Sequence, residues 1–393
     1  FEMHQYIVGT GFGSPLMALS PIPCAAFHVH SKESGLGKTT AMFVGASIWG
    51  KPESLVLGEA DTKNSRMNRC ELYHNLPVYI DELTELKGEE LSSLIYQISS
   101  GKQKNRMTSG GVNTERVRGK PWSLLSVTTG NTSAIERVSM YKSMPKAEAQ
   151  RMMETKATRL FDKSKTKHLT DAHATNAISI YGHACVPYMQ YIIANIDAVK
   201  DLMSRVQSKI DTTAGLTAEN RYWSAGAAAT LTGVLIAKKL GLVNYDTNKL
   251  FKYIIKLLKE NKNSTTEMNV SAADTLNDYI HEHWGSILKI KSTDDLRKAQ
   301  GNGLDGLVIP ELDPKVRLVG RYETDTKHAF LIPKPLKAWC GRQQINYASF
   351  IQELKDDFGG KTTKVRLTKG TTTILGLTHV LFIDCSKLDV GVH

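Results

Sequence analysis

A short glycine-rich run that ends in lysine and threonine is typical of a loop that binds the phosphates of a nucleotide. Its residues are Ser34-Gly35-Leu36-Gly37-Lys38-Thr39-Thr40. Backbone N–H groups of such a loop surround the phosphates at a helix N-terminus, where the helix dipole favours an anion. We expect Lys38 to contact the β- and γ-phosphates of ATP and the Thr39 hydroxyl to bind Mg²⁺. The sequence departs from the usual pattern at Lys32, where a glycine is expected.

Two adjacent acids, Asp81 and Glu82, follow an apolar run and supply the second part of this chemistry. An ATPase needs one carboxylate near its magnesium ion and another that activates water. We assign Asp81 to the Mg²⁺ site and Glu82 to orienting and deprotonating the attacking water. The alternative is an acidic N-cap of a helix that begins near Leu83, a position that acids favour. Both roles can hold together.

A basic segment lies between residues 101 and 120, and Glu115 is its only acid. Ser109-Gly110-Gly111 permits the tip of a hairpin or loop. Basic side chains suit contacts to DNA phosphates, which give affinity without reading sequence. An ordinary solvated loop, or a contact with a neighbouring subunit's nucleotide, is the alternative. The candidate DNA-binding residues are Lys102, Lys104, Arg106, Arg116, Arg118 and Lys120.

Three apolar segments are predicted to be the strands that position these residues. They are residues 25–30, 76–80 and 122–129, and each ends next to a candidate site residue. A helix is predicted over 40–49, directly after the glycine-rich run. Strand, glycine turn and helix form the context in which a phosphate loop is credible. The pattern indicates an α/β fold with a parallel sheet and flanking helices.

The middle of the chain is predicted to be mainly helical. Residues 174–202 and 223–240 have apolar residues at helical spacing, which is most simply explained by a packed core. Arg221 opens the second of these helices, either as a sensor of the γ-phosphate or as a structural arginine that binds nearby carbonyls. The polar stretch Lys259 to Thr266 is the best candidate for a linker.

The C-terminal region differs in texture from the rest. We predict helices at 272–288, 335–341 and 347–358, and strands at 316–322, 329–332, 364–367 and 380–384. Helices followed by a two-stranded ribbon that turns at Lys369-Gly370 suggest a winged helix. Such a module contacts either DNA, here through Lys364, Arg366 and Lys369, or another protein.

Composition narrows the possible classes of protein. The chain has 393 residues, 41% hydrophobic content and a mean hydropathy of −0.27, which predicts a protein of two or three domains without a membrane span. Its net charge of +11 favours a polyanionic partner. Five cysteines lie far apart, which argues against a zinc site or disulfide framework and suits a reducing cytoplasm. Because Phe1 starts the chain and residues 1–19 read as part of a helix, we expect a fragment of a longer protein.

In their order, these motifs resemble those of the AAA+ helicases of phages and mobile elements, in the family known as domain of unknown function 927. The likeness covers about residues 10–245. The segments that carry it are 34–49, 75–82, 101–107 leading to Trp122, Tyr181-Gly182-His183-Ala184 and Asn220-Arg221-Tyr222-Trp223. A second departure is Asn131, where relatives often have an acid.

The resemblance implies site residues and an assembly. Asn131 takes the place of the polar residue that senses the γ-phosphate in AAA+ proteins, with capping of the next helix as the alternative. Arg159, with Arg151 as second choice, matches the arginine that reaches a neighbouring subunit's site, and either is otherwise a surface arginine. The family implies a ring, normally a hexamer, that hydrolyses ATP between subunits and pulls nucleic acid through its pore in a bacterial cytoplasm. Relatives often carry an upstream primase or polymerase module.

We therefore predict an AAA+ ATPase core over 1–165, a helical lid over 166–262 and a winged-helix-like domain over 267–393. The leading functional hypothesis is a DNA helicase that uses ATP and Mg²⁺ and binds single-stranded or forked DNA. A motor that is not a helicase, acting in origin melting or packaging, shares every ATPase residue. A scaffold organised by ATP is a third hypothesis, which the Asp81-Glu82 pair disfavours. A metabolic kinase is less consistent with the basic segment.

Overall fold

The computed structural model divides the chain into two compact units. The first comprises Phe1–Tyr141 and Pro145–Met268, and the second Lys142–Met144 and Asn269–His393. The structure describes residues 1–83, 86–103, 119–142, 145–158, 163–268, 271–291, 317–343, 345–369 and 376–386.

A five-stranded parallel sheet forms the centre of the first unit. Its strands are β1 (Cys24–His30), β2 (Val56–Leu57), β3 (Val78–Ile80), β4 (Leu124–Gly130) and β5 (Met152–Lys156), in the order β2-β3-β4-β1-β5. Central strands buried on both faces read as near-continuous apolar runs, which is why β1 and β4 could be predicted from the sequence. We call the side where β1, β3 and β4 end the carboxyl edge, and the side where β1, β4 and β5 begin the amino edge.

Helices pack around this sheet, and the middle of the chain, residues 163–267, is mainly helical. They are α1 (Glu2–Gly13), α2 (Lys38–Ser47), α3 (Pro52–Leu55), α4 (Lys63–Tyr73), α5 (Gly88–Ser99), α6 (Ala134–Ser139), α7 (Lys146–Ala149), α8 (Lys163–Ser179), α9 (Cys185–Ala194), α10 (Ile196–Ala214), α11 (Arg221–Lys239) and α12 (Thr247–Glu267). The segment predicted as a lid lies in the same compact unit as the sheet. Among the helices that the structure describes, none combines the length and apolar character that a bilayer crossing requires.

Glycines allow α1 and α11 to approach each other closely. A Cβ atom added at Gly13 would lie 2.6 Å from the Thr230 Cα, and one added at Gly233 would lie 2.6 Å from the Gly13 nitrogen. Similarly, a Cβ at Gly226 would lie 2.6 Å from the Ala25 Cβ at the start of β1. These contacts fix the first turns of α11 against the amino edge of the sheet.

The prediction of a linker at residues 259–266 is wrong, because this stretch is the last part of α12. The Thr265 and Thr266 hydroxyls donate to the carbonyls of Asn261 and Lys262 within the helix, at 2.7 and 2.9 Å. Asn261 and Thr265 are buried, whereas Lys259, Glu260, Asn263, Ser264 and Thr266 are exposed. The polar composition that suggested a linker belongs to a helix that is largely exposed here and packs through two buried polar residues.

The second unit contains a mixed sheet and three described helices. The strands are β6 (Ile287–Ile290), β7 (Gly320–Glu323), β8 (His328–Leu331), β9 (Lys361–Val365) and β10 (Thr378–Asp384), in the order β6-β7-β8-β10-β9. The described helices are α13 (Ala272–Glu282), α14 (Pro333–Arg342) and α15 (Tyr347–Phe358). Strands β6 and β7 are parallel, and the other pairs are antiparallel.

Two predictions for the second unit need correction or qualification. The helix predicted over 272–288 ends at Glu282, because the buried residues of Ile287–Ile290 form β6 after a short turn at Trp284–Ser286. The predicted ribbon exists as β9 and β10, but it belongs to a five-stranded sheet. The winged-helix assignment stays a prediction.

Candidate functional site

The loop between β1 and α2 adopts a conformation that requires glycine at two positions. Gly35 and Gly37 have φ of 73° and 78°, in the left-handed region that other residues rarely adopt. The His4 Nε2 atom lies 2.7 Å from the Leu36 carbonyl oxygen, so α1 supports the loop. Lys32 is not among the residues with positive φ, so this position does not need the backbone freedom of glycine. Residues 32–35 are exposed at the carboxyl edge.

The side chain of Lys38, the first residue of α2, contacts the carboxyl ends of the neighbouring strands β1 and β4. Its ammonium group donates to the Gly130 carbonyl at 3.0 Å and to the Ser31 carbonyl at 3.4 Å. Burial lowers the pKa of Lys38, and the nearby Glu82 and Asp81 carboxylates oppose this shift. A partly buried ammonium group with only carbonyl partners gains electrostatic stabilisation when an anion binds beside it.

Asp81 lies between two threonine hydroxyls. Thr39 donates to its Oδ2 atom at 2.9 Å, and Thr129 makes a short hydrogen bond to its Oδ1 atom. Thr129 is a residue that sequence reasoning missed, because its contact with Asp81 depends on the pairing of β3 with β4. These hydrogen bonds orient Asp81 and place two oxygen atoms that could bind a metal ion, the Thr39 hydroxyl oxygen and Asp81 Oδ2, next to each other.

These oxygen donors fit a magnesium ion, which in nucleotide sites is held by one or two protein oxygens together with phosphates and waters. Within the described parts of the chain, no group of three or more His, Cys, Asp or Glu residues could hold a metal ion by itself. A bound Mg²⁺ would therefore depend on the nucleotide for its remaining ligands.

Glu82 follows Asp81 with an unusual backbone conformation. Its φ is 60°, and its N–H donates to the Thr129 hydroxyl at 3.1 Å. The side chain lines a cavity of about 250 Å³ together with Glu59 and Arg66. The alternative role of these acids as a helix N-cap is not observed, because α5 begins at Gly88 with Lys87 as its N-cap. Backbone strain in a non-glycine residue is typical of functional sites.

Asn131 is exposed in the turn that follows β4 at the same edge. It is adjacent to Gly130, whose carbonyl accepts the Lys38 hydrogen bond. The next helix, α6, is capped by Ser133, whose hydroxyl accepts from the Glu136 N–H at 2.9 Å. Asn131 therefore does not have the alternative role of helix cap.

Two of the candidate site arginines, Arg151 and Arg221, are at the amino edge. Arg151 precedes β5, donates to the Ala147 carbonyl at 2.7 Å and places its guanidinium 4.4 Å from the Tyr96 ring centre. Arg221 is exposed and lies 5.3 Å from the ring centre of Tyr222. The structure does not bring Arg221 to the Lys38 loop of the same chain. Arg159 lies outside the described residues.

The described ends of the basic segment, residues 101–103 and 119–120, lie at the amino edge of the sheet. The Glu71 carboxylate accepts from the Gln103 side chain and from the Lys120 N–H, both at 2.8 Å. The Trp122 N–H donates to the Gly101 carbonyl at 2.8 Å, so the two ends are joined. Lys102 and Lys120 are exposed. Lys104, Arg106, Arg116 and Arg118 lie outside the described residues.

The basic residues predicted in the tail are exposed in the second unit. Lys364 is on β9, and Arg366 and Lys369 follow it. The buried Arg321 donates to the carbonyls of Leu367 and Lys369 at 3.2 and 2.7 Å, which anchors this stretch.

Comparison with known proteins supports part of this picture. Residues 4–117 match the model of a family described as a domain of unknown function, DUF927. A solved structure of SCCmec type IV Cch, described as an active helicase, is similar with a TM-score of 0.61 and 16% identity, covering 97% of this chain and 67% of that one. At this identity the likeness establishes the fold alone. No curated protein matches the chain. The family match includes the Lys38 loop, Asp81 and Glu82, and it ends before Asn131.

Proposed function

We propose that the first unit binds ATP with Mg²⁺ at the carboxyl edge and hydrolyses it. The observation that carries this proposal is the contact between the Thr39 hydroxyl and the Asp81 carboxylate at 2.9 Å, directly after a loop with two left-handed glycines. Two oxygen donors for a metal ion and a lysine for the phosphates thus lie at one helix N-terminus. The residues Ser34 to Thr40 would surround the phosphates through their backbone N–H groups.

Each side chain then has a defined role. Lys38 would exchange its carbonyl partners for phosphate oxygens, and Thr39 and Asp81 would hold the metal ion. Mg²⁺, when bound, neutralises the charge that develops on the phosphates. Glu82 would accept a proton from the attacking water, while Asn131 would contact the γ-phosphate. Arg159 would come from a neighbouring copy of the chain, and Arg151 is the second choice for this role.

We further propose that hydrolysis drives movement along DNA, as in a helicase. The fold shared with SCCmec type IV Cch, the DUF927 match and the net charge of +11 support this step. The basic segment of residues 101–120 would contact DNA phosphates, and the chain would act as a ring. A related motor that does not unwind DNA would use the same ATPase residues and is an outcome of the second test below.

The first test is steady-state ATP hydrolysis by Lys38→Ala. We expect turnover to fall by a factor of about 10² to 10³, since one preorganised charge aimed at the transferring phosphate is worth that much. Lys32→Ala is the matched control, because Lys32 is an exposed lysine of the same loop. Near-normal turnover by Lys38→Ala would overturn the assignment of the site.

The second test measures single-stranded DNA binding over a range of salt concentrations. Replacing Lys102 and Lys120 together by glutamine should reduce the slope of log K against log salt by about 0.7 for each DNA phosphate that the protein no longer neutralises. Lys364→Gln tests the tail separately. An unchanged slope would mean that residues 101–120 are an ordinary solvated segment.

ATP turnover is also measured with and without single-stranded DNA. Hydrolysis that DNA does not stimulate would favour a motor other than a helicase. The same assay on Arg159→Ala mixed with unaltered protein tests whether neighbouring subunits of a ring share their sites, because an inactive variant would then reduce the turnover of the mixture.

A further inference from the structure

A row of polar side chains crosses three neighbouring strands beside the candidate site. Glu154 on β5 is paired with His28 on β1, and His28 is paired with Thr128 on β4. His28 and Thr128 are each 1% exposed. Buried polar side chains are costly unless they are hydrogen-bonded, so their partners indicate what the row does.

His28 connects the row to the turn after β4. Its Nε2 atom lies 3.1 Å from the Thr132 carbonyl oxygen, and its Nδ1 atom lies 2.8 Å from the Thr128 hydroxyl. A carbonyl only accepts, so Nε2 carries the proton and donates, and Thr128 donates to Nδ1 of the neutral ring. Burial lowers the pKa of His28 to about 4, so the ring is neutral near pH 7.

Glu154 accepts three hydrogen bonds, one from the last residue of this turn and two from the first residues of α6. Its Oε1 atom accepts from the Ser133 hydroxyl at 2.6 Å, and its Oε2 atom accepts from the N–H groups of Ala134 and Ile135 at 3.1 and 3.3 Å. Hydrogen bonds to an ionised acceptor are about twice as strong as neutral ones. The carboxylate thus contacts the turn and the start of α6 from β5, whereas Asp81 follows β3, the neighbour of β4 in the other direction of the strand order.

Helix α12 holds Glu154 in turn. The Asn261 side chain accepts from the Glu154 N–H and donates to the Glu154 carbonyl, both at 2.9 Å. Strand β5 is at the end of the sheet order, and this amide satisfies backbone groups that a further strand would otherwise bind. The chain of contacts therefore runs from α12 through Glu154 to the turn.

We propose that Glu154 is a positioning residue for ATP hydrolysis, which fixes the turn of residues 130–133 with the help of His28 and Asn261. This inference rests on the proposed ATPase function. The turn contains the Gly130 carbonyl that accepts from Lys38, and it contains Asn131, the candidate contact for the γ-phosphate. A displacement of such groups by about 1 Å can reduce turnover by a factor of 10².

A role in capping α6 accounts for part of these contacts. Ser133 accepts from the Glu136 N–H, and the Glu154 carboxylate accepts from the N–H groups of Ala134 and Ile135, the first two residues of the helix, which have no partner within it. The hydrogen bond from the Ser133 hydroxyl to Glu154 is additional, because it joins the last residue of the turn to β5. The two explanations differ in what they predict for turnover at constant stability.

The experiment compares Glu154→Gln with Glu136→Gln, an exposed acid of α6 that serves as the matched control. The glutamine amide group cannot accept hydrogen bonds through its nitrogen, so the turn loses at least one connection. We expect kcat to fall by a factor of about 10 to 100, while the Kd for a fluorescent ATP analogue changes less than threefold. A lower thermal midpoint with unchanged kcat would overturn the proposal and leave a structural role.

A second variant protects this test against misfolding. Ser133→Gly removes one hydroxyl from Glu154, and glycine is among the residues that are favoured at an N-cap, so the start of α6 is retained. We expect a smaller loss of kcat, of about 3- to 10-fold, again without a change in nucleotide affinity. If unaltered protein hydrolyses ATP and both variants match it, only the positioning role fails. If unaltered protein does not hydrolyse ATP, the proposed function fails and the positioning role fails with it.

Discussion

The two edges of the parallel sheet differ in how their polar groups are used. At the carboxyl edge, Lys38 and Thr39 open α2 and Asp81 follows β3, and these residues contact each other or the end of β4. At the amino edge, Arg151 and Arg221 lie over tyrosine rings. The first arrangement leaves a lysine and two oxygen donors ready for a charged ligand, whereas the second places its arginines in contacts within the protein.

The difference also separates two proposed activities in space. The basic segment starts and ends at the amino edge, where Glu71 joins its two ends. β1 spans seven residues, so the two edges lie about 20 Å apart along this strand. Phosphate chemistry and DNA contacts would then be connected through the sheet and its helices within one chain. Substitutions at the amino edge should leave ATP turnover without DNA nearly unchanged, and substitutions at the carboxyl edge should leave DNA binding nearly unchanged.

The largest effect that would sharpen this comparison is expected for Glu82→Gln. The change removes the proposed base and keeps the metal donors Thr39 and Asp81, so hydrolysis should fall by a factor of about 10² to 10⁴. Nucleotide affinity and single-stranded DNA binding should both remain within about threefold. ATP turnover, analogue binding and DNA binding on the same preparation check this result.

Glu59→Gln is the control for Glu82→Gln, because Glu59 lines the same cavity at the carboxyl edge. It should retain turnover. If Glu82→Gln instead lost nucleotide affinity while turnover at saturation survived, then Glu82 would be the metal ligand and Asp81 would need another role.

The sequence predicted those site residues that follow a strong local pattern. The Lys38 loop and the Asp81-Glu82 pair each stand directly after an apolar strand, so a short window contains the whole signal. Thr129, His28 and Glu154 were missed because their roles depend on the register between strands far apart in sequence. A single buried histidine or glutamate in a window carries no information about its partner.

One wrong prediction and one untested prediction depend on information that the sequence does not contain. Asn261 lies in a segment that was predicted to be a linker because of its polar composition. Its side-chain amide instead binds the backbone N–H and carbonyl of Glu154 on β5. Arg221 was predicted to be either a sensor of the γ-phosphate or a structural arginine because it opens a helix, and the packing of α11 against β1 places that helix start at the amino edge of its own chain. Its role as a sensor stays a prediction. Composition and element order do not determine the direction in which a helix crosses a sheet.

A second prediction concerns the pH dependence of the carboxyl edge. The pKa of His28 falls to about 4 in the folded protein, below the 6.5 of an ordinary histidine. Between these values the unfolded chain binds more protons, so stability is full above about pH 6.5 and is lost as pH falls. The His28 contribution should cost about 2 kcal/mol by pH 5 relative to pH 7.5.

Hydrogen exchange of the β1 amides at pH 7.5 and pH 5, corrected for intrinsic rates, measures this loss in the first unit. His28→Gln provides the comparison, since glutamine keeps an N–H donor for Thr132 and does not titrate. Its stability should depend less steeply on pH than that of the unaltered protein. Equal pH dependence in both proteins would mean that the groups around His28, including His30 and Glu154, determine the acid response.

The smallest effects are expected at the amino edge, for Arg221→Met and Arg151→Met. The change at the exposed Arg221 removes a cation–π contact with Tyr222 that is worth about 0.5 to 1 kcal/mol. The change at the half-buried Arg151 removes contacts with Tyr96 and Tyr222 and the hydrogen bond to Ala147. Turnover without DNA and nucleotide affinity should stay within about twofold, as for the control Arg205→Met on the exposed face of α10. A tenfold loss of affinity for Arg221→Met would break the comparison, because this arginine would then have to reach the phosphates of a neighbouring copy. The contrast between the edges would in that case describe one chain, while the working site would combine the carboxyl edge of one copy with the amino edge of the next.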